Sequence, residues 1–146
     1  MHKDRRKRMQ FWGRDREDDS LVRDVLAGEK TATACPADTY HLPEGAFDDG
    51  GWEAGDLVEV YDLKECLRCI VRITDVYRFT FGDIPERLWR GEACQDADHF
   101  REAHRICWPD IDLTDGFELM ATHFELVGRA EGRTTGCAAN EKGSLQ

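Results

Sequence analysis

The sequence predicts an α+β domain, a small and strongly bent sheet or barrel with two or three flanking helices. Three observations carry this. Short runs such as Leu57-Val58-Glu59-Val60-Tyr61 alternate apolar and polar side chains with the strand period of two. Two other stretches repeat apolar residues at three- and four-residue steps, which is helical spacing. The length, 146 residues, suits one hydrophobic core rather than two.

Taken in order, residues 1–10 read as a flexible basic tail, and the ordered domain spans 11–128, beginning at Phe11-Trp12-Gly13. Ser20 is the expected N-cap of a first helix whose apolar face is Leu21, Val22, Val25 and Leu26. Gly28 ends it, because glycine takes the left-handed conformation without a side-chain clash. Thr31-Ala32-Thr33-Ala34 leaves that cap as a short strand, and 36–56, rich in Pro, Gly and Asp, forms a long loop. The run 57–61, a turn at 62–65 and the return over 67–79 make a hairpin. A short helix over 84–90 opens at Pro85. A clearer one runs over 98–107, with Phe100, Ala103, His104 and Cys107 on one face and Pro109 beyond it. A last strand covers 119–127, and 129–146 form a disordered C-terminal tail.

Composition narrows the function classes. Hydrophobic residues make up 40% and charged residues 34%, as in ordinary globular proteins. No apolar run approaches the roughly 20 residues that span a bilayer. The basic N-terminus has no apolar stretch behind it, so it is not read as a secretory signal, and the cytoplasm is the expected compartment. The net charge is −10; residues 1–9 carry five basic side chains and one acid, which leaves −14 on the rest. Such a domain is poorly suited to gripping long RNA or DNA through phosphate contacts. A nucleoside or a short single strand of RNA fits better; DNA and membrane partners are not expected.

Of the six cysteines, Cys66 and Cys69 have the spacing of a metal knuckle or redox pair. A zinc knuckle needs a second close pair, and a redox pair sits at a helix start, whereas Cys69 opens the strand-like run Cys69-Ile70-Val71-Arg72-Ile73. The expectation is strand packing. The five histidines lack metal-ligand spacing, and Gly50-Gly51 is followed by no phosphate-loop lysine. Neither metal nor cofactor is predicted.

Two segments can carry chemistry. In Gly28-Glu29-Lys30-Thr31-Ala32-Thr33, Lys30 reads on its residues as a cation at a helix's carbonyl end, and Thr31 and Thr33 as strand formers. The sharper reading buries the lysine, since desolvation disfavours an ammonium and frees the amine as a base, with a threonine hydroxyl as nucleophile. Lys30 and Thr33 point to opposite faces of a regular strand, so sharing a pocket requires a kink or twist, for which Gly28 gives room. In Arg90-Gly91-Glu92-Ala93, Glu92 alone is a surface acid. Brought beside Lys30, it can fix that side chain and pass a proton to a leaving group. Trp12 and Tyr40 flank the lysine segment and are candidates to stack on a base.

In order and spacing these segments resemble the ASCH family (activating signal cointegrator homology), which has a PUA-like fold. The resemblance rests on Phe11-Trp12-Gly13, Leu26 through Thr33, Ala54 through Val60, Cys69 through Val76, Gly91-Glu92 with Phe100 through Arg105, and Met120 through Val127. It implies a small mixed β-barrel that binds RNA or a modified base. One branch of the family comprises amidohydrolases that deacetylate N4-acetylcytidine, and its catalytic lysine, threonine and glutamate align with Lys30, Thr33 and Glu92. Trp12, Tyr40, Thr31 and Arg90 are the expected substrate-binding residues. The chain departs from the family pattern at Arg90, where an acid is frequent, and at Ala93-Cys94, where glycine and aspartate are frequent. The leading expectation is an amidohydrolase removing an acyl group from a cytidine-type nucleoside. The alternatives are a non-catalytic RNA-binding module and a ribonuclease acting on single-stranded RNA.

Overall fold

The computed structural model describes residues 6–42 and 46–130. Five strands form one curled sheet, a half-barrel, with three helices packed on it. The strands are β1 (Lys7–Gln10), β2 (Ala32–Pro36), β3 (Leu57–Tyr61), β4 (Leu67–Thr80) and β5 (Glu118–Arg129), in the spatial order β1-β3-β4-β5-β2. The helices are α1 (Ser20–Leu26), α2 (Glu86–Gly91) and α3 (Ala97–Cys107). This is the α+β class and bent sheet that the sequence predicts. Among the described residues, no helix is long and apolar enough to cross a membrane.

The long antiparallel pair of β4 and β5 is the spine, running from Cys69↔Arg129 to Thr80↔Glu118. Its register shifts between Ile70 and Val71 and again between Ile73 and Asp75. Such bulges sharpen the local twist, which curls the sheet. The two ends of β4 therefore serve different cores. Cys69, Val71 and Ile73 pack with Met9, Phe11, Val22, Val25, Val58, Val60 and Phe124. Phe79 packs with Phe81, Leu88, Phe100 and Leu119. Cys69 is a free, fully buried thiol in the first of these, so strand packing is its role. The predicted turn forms where Asp62 Oδ1 accepts the backbone N–H groups of Lys64 and Cys66, both at 3.0 Å.

The described residues correct the boundaries at both ends. Lys7–Gln10, expected in a flexible tail, is strand β1, parallel to β3 from Lys7↔Val58 to Gln10↔Tyr61. Met9 is 1% exposed and anchors the strand in the core. Lys7 Nζ reaches Asp56 at 2.8 Å, and the backbone N–H groups of Arg8 and Gln10 donate to Asp49 and Asp48. At the other end β5 runs to Arg129, past the expected limit at 128, and Ala130 is buried. Residues 1–5 and 131–146, the rest of the two expected tails, lie outside the described residues. The helix expected over 98–107 starts one residue earlier, because Asp96 caps it by accepting the His99 N–H at 2.8 Å. Ser20 is the first residue of α1 and not its cap; Asp19 holds that position.

Candidate functional site

Lys30 is placed by the way α1 ends. Gly28 has φ +79°, the left-handed conformation expected of a glycine helix stop. The N–H groups of Glu29 and Lys30 both return to the Asp24 carbonyl, at 2.9 and 3.1 Å. The next residue binds the chain on two sides: Thr31 N–H donates to Gly91 O at 2.7 Å, and Phe124 N–H donates to Thr31 O at 2.9 Å. The first of these bonds seats the end of α2 against the start of β2, which delivers Glu92 beside Lys30. Gly91 is what permits the approach, since a Cβ there would lie 2.8 Å from the Ala32 Cβ. Because β2 begins only at Ala32, Lys30 precedes the strand, and the alternation of strand faces does not separate it from Thr33.

The Lys30 side chain is buried, 4% exposed. Its ammonium donates to Ala32 O at 2.7 Å, lies 3.7 Å from Glu92 Oε1 and sits 5.2 Å from the centre of the Phe11 ring. A charge so placed carries a large desolvation cost unless it is paired, and the carboxylate provides the pairing. Glu92 Oε1 also lies 3.4 Å from His104 Nε2 on α3. The second oxygen, Glu92 Oε2, is buried with no hydrogen-bond partner among the described residues. No hydrogen bond joins Lys30 to Thr33 among the described residues; what they share is the cavity.

That cavity holds about 500 Å³ and is lined by Lys30, Thr33, Glu92 and His104, with Phe11, Trp12, Tyr40 and Trp52 among its aromatic walls. Its size suits a small-molecule ligand. Thr33 faces Thr122 directly across the β2–β5 pair, and both line it. The expected long loop is folded into a wall: the Tyr40 hydroxyl donates to Trp52 O, and Gly51 N–H donates to Tyr40 O at 2.7 Å. Trp12 also lines the cavity yet is 40% exposed, so it stands where a ligand can reach it. Two expected binding residues lie outside. Thr31 is exposed, and Arg90 is exposed and turned to Glu86 at 2.5 Å, stacked over the Trp89 ring. Arg90 therefore does not set the charge inside the cavity.

Several lining groups escaped the sequence reading. His104 was placed only on an apolar helix face, although a polar ring in such a face is itself a signal. Asp48 lines the cavity from the loop, its two oxygens accepting the N–H groups of Gly50 and Gln10, each at 3.0 Å. Burial holds its carboxyl above the ordinary value of 3.8. The thiols of Cys94 and Cys107 also line the cavity. Burial first, and then the charge of Glu92, pushes both up to about 11, so they stay protonated at neutral pH and are poor nucleophiles. No cluster of potential metal ligands occurs among the described residues.

The family model described as the ASCH domain matches residues 7–128. The chain belongs to the ASCH domain family. Solved structures share the fold at low sequence identity. A protein from Enterococcus faecalis is 22% identical, covering 83% of this chain and 76% of its own, with a TM-score of 0.67. An ASCH domain from Lactobacillus crispatus is 20% identical, covering 84% and 80%, with a TM-score of 0.65. No curated protein matches the chain. Within this ASCH domain, Ala93 has φ +61°, a left-handed conformation that glycine takes without strain.

Proposed function

We propose that this ASCH domain is an amidohydrolase that removes the acyl group from an N-acylated nucleoside of the cytidine type. The observation that carries the reading is a lysine 4% exposed, 3.7 Å from a buried carboxylate and opening with Thr33 onto one cavity. Thr33 supplies the nucleophilic oxygen. Proton transfer within the Lys30–Glu92 pair leaves an amine and a carboxylic acid, and the amine takes the hydroxyl proton of Thr33, directly or through a water. Glu92 fixes Lys30 and gives a proton to the departing exocyclic amine; its unpartnered oxygen is the one available for this. Trp12 and the Tyr40 side of the cavity hold the base by stacking and shape. The site needs no metal, since acyl transfer to a hydroxyl requires only a base, a nucleophile and an acid.

The test is direct. The protein is incubated with N4-acetylcytidine and cytidine release is followed, with Lys30→Ala as the control. Release by the native protein and background release by the variant are expected. No release by either, or equal release by both, would overturn the mechanism. The family association with RNA leaves the ribonuclease reading and, as the nearer rival, a non-catalytic module holding a single base. That rival requires binding of short single-stranded RNA that weakens steeply with salt.

A further inference from the structure

We propose that His104 is a positioning residue of the same site: it holds the Glu92 carboxylate at Oε1, which leaves Oε2 to the substrate, and keeps it supplied with the proton that the departing amine takes. This rests on the hydrolytic reading above. The ring has little freedom. It stacks on Phe100 with centroids 4.0 Å apart and planes 26° apart, and Trp108 covers it at 4.9 Å. Its Nδ1 lies 2.8 Å from the Phe100 carbonyl. A carbonyl only accepts, so Nδ1 carries a hydrogen and the tautomer is set. The other nitrogen is then aimed at Glu92 Oε1, 3.4 Å away.

A neutral ring of that tautomer presents a lone pair at Nε2, which a carboxylate oxygen repels. The contact is favourable only with one proton between Nε2 and Oε1, held by either partner. Lys30 is the other charged group against this carboxylate, and the protonated thiols of Cys94 and Cys107 neither supply nor accept the proton. Oε1 is thus occupied by Lys30 and His104, while Oε2 is buried with no partner among the described residues. The proton traffic balances. As Thr33 Oγ bonds to the acyl carbon, its hydrogen goes to Lys30. The carbon–nitrogen bond breaks, and the amine takes a proton from Glu92 Oε2. Oε1 regains one from His104 Nε2. Water then attacks the acyl carbon as its bond to Thr33 Oγ breaks; the hydroxyl stays on the carbon, the water's other proton goes to Glu92 Oε2 while Oε1 returns its own to His104 Nε2, and Lys30 returns its proton to Thr33 Oγ.

Two readouts decide the proposal. In nitrogen NMR of the protein labelled at its histidine rings, the His104 Nδ1 should be protonated, and the Nε2 resonance should move on Glu92→Gln. An unprotonated Nδ1, or an Nε2 indifferent to that substitution, overturns the pairing whether or not the protein hydrolyses anything. In steady-state kinetics, His104→Gln should lower kcat by about 10²-fold with KM little changed, the lower end of the range for a proton-transfer group. His104→Phe, which keeps the stack on Phe100, should do the same with the thermal unfolding midpoint preserved. Native kcat in both folded variants overturns the proton supply. A native protein that hydrolyses no acylated nucleoside removes the proton-delivery step along with the proposed function, and the ring-nitrogen spectrum then decides the pairing by itself.

Discussion

Two acids line one cavity, and their environments are opposite. Asp48 is satisfied by the backbone: each oxygen accepts an N–H, from Gly50 and from Gln10, and in doing so it ties the 46–50 segment to β1. Glu92 is flanked by two side chains, Lys30 and His104, both at ion-pair rather than hydrogen-bond distance, and it keeps one buried oxygen with no partner among the described residues. A folded protein rarely leaves a buried carboxylate oxygen empty, because the lost hydration is not replaced. The first acid is therefore explained by the fold alone. The second is explained if a group entering the cavity exchanges a proton with it. The comparison separates a structural carboxylate from a working one by hydrogen-bond satisfaction, with burial and location held nearly constant.

The sharpest way to break that contrast is to neutralise each acid in turn. Glu92→Gln removes the acid that serves the leaving group and should lower kcat for deacylation by about 10²–10⁴-fold, measured as cytidine release under saturating substrate. Asp48→Asn should leave kcat of the folded protein unchanged. An inactive Asp48→Asn that is as stable as the native protein, or an active Glu92→Gln, would reverse the two roles.

Much of this arrangement was legible in the sequence, and the reasons for the rest are specific. β3 was readable because Val58 and Val60 alternate inward on a half-buried strand, both fully buried. The end of α1 was readable because Gly28 acts within its own turn. β1 was not, since only Met9 faces the core and the partners of its charged residues are remote: Lys7 meets Asp56, and Arg8 meets Asp49. Lys30, Thr33 and Glu92 were gathered by the family resemblance, and the bond from Thr31 to Gly91 is the physical cause that no spacing rule contains. Arg90 stands outside the cavity for a local reason. Two residues along a helix end turn the side chain about half-way round the axis, so the neighbour of a cavity residue faces solvent. Asp48 stood among Asp38, Asp49 and Asp56 in one acidic loop, and nothing in sequence tells which of them turns inward.

The next effect down is on stability. Asn offers one acceptor where Asp48 offers two, so Asp48→Asn sets an amide donor against the N–H of Gln10 or Gly50. The expected cost is about 1–3 kcal/mol, the penalty for a buried donor left unpaired. Urea unfolding measures it, as a lower midpoint with an unchanged slope. An unchanged midpoint would mean that the loop does not depend on this carboxylate, and the structural half of the comparison would fall.

The smallest effect is its pH dependence, and the sign is distinctive. Burial holds the Asp48 carboxyl above 3.8 in the folded protein, against the lowering influence of the two backbone N–H groups and Arg8. Between its unfolded and folded values the native state binds the proton more tightly than the unfolded chain does. The contribution of Asp48 is therefore fully present below the unfolded value and declines as pH rises through the folded one, the reverse of an ordinary salt-bridged aspartate. The variant lacks this titration. The stability advantage of the native protein over Asp48→Asn should accordingly widen as pH falls from neutrality into the carboxylate range, read from paired urea titrations. An advantage that narrows on acidification would mean that the backbone donors outweigh burial. Asp48 would then sit in the cavity as a fixed negative charge facing the ligand, and the distinction between it and Glu92 would have to rest on the unpartnered oxygen alone.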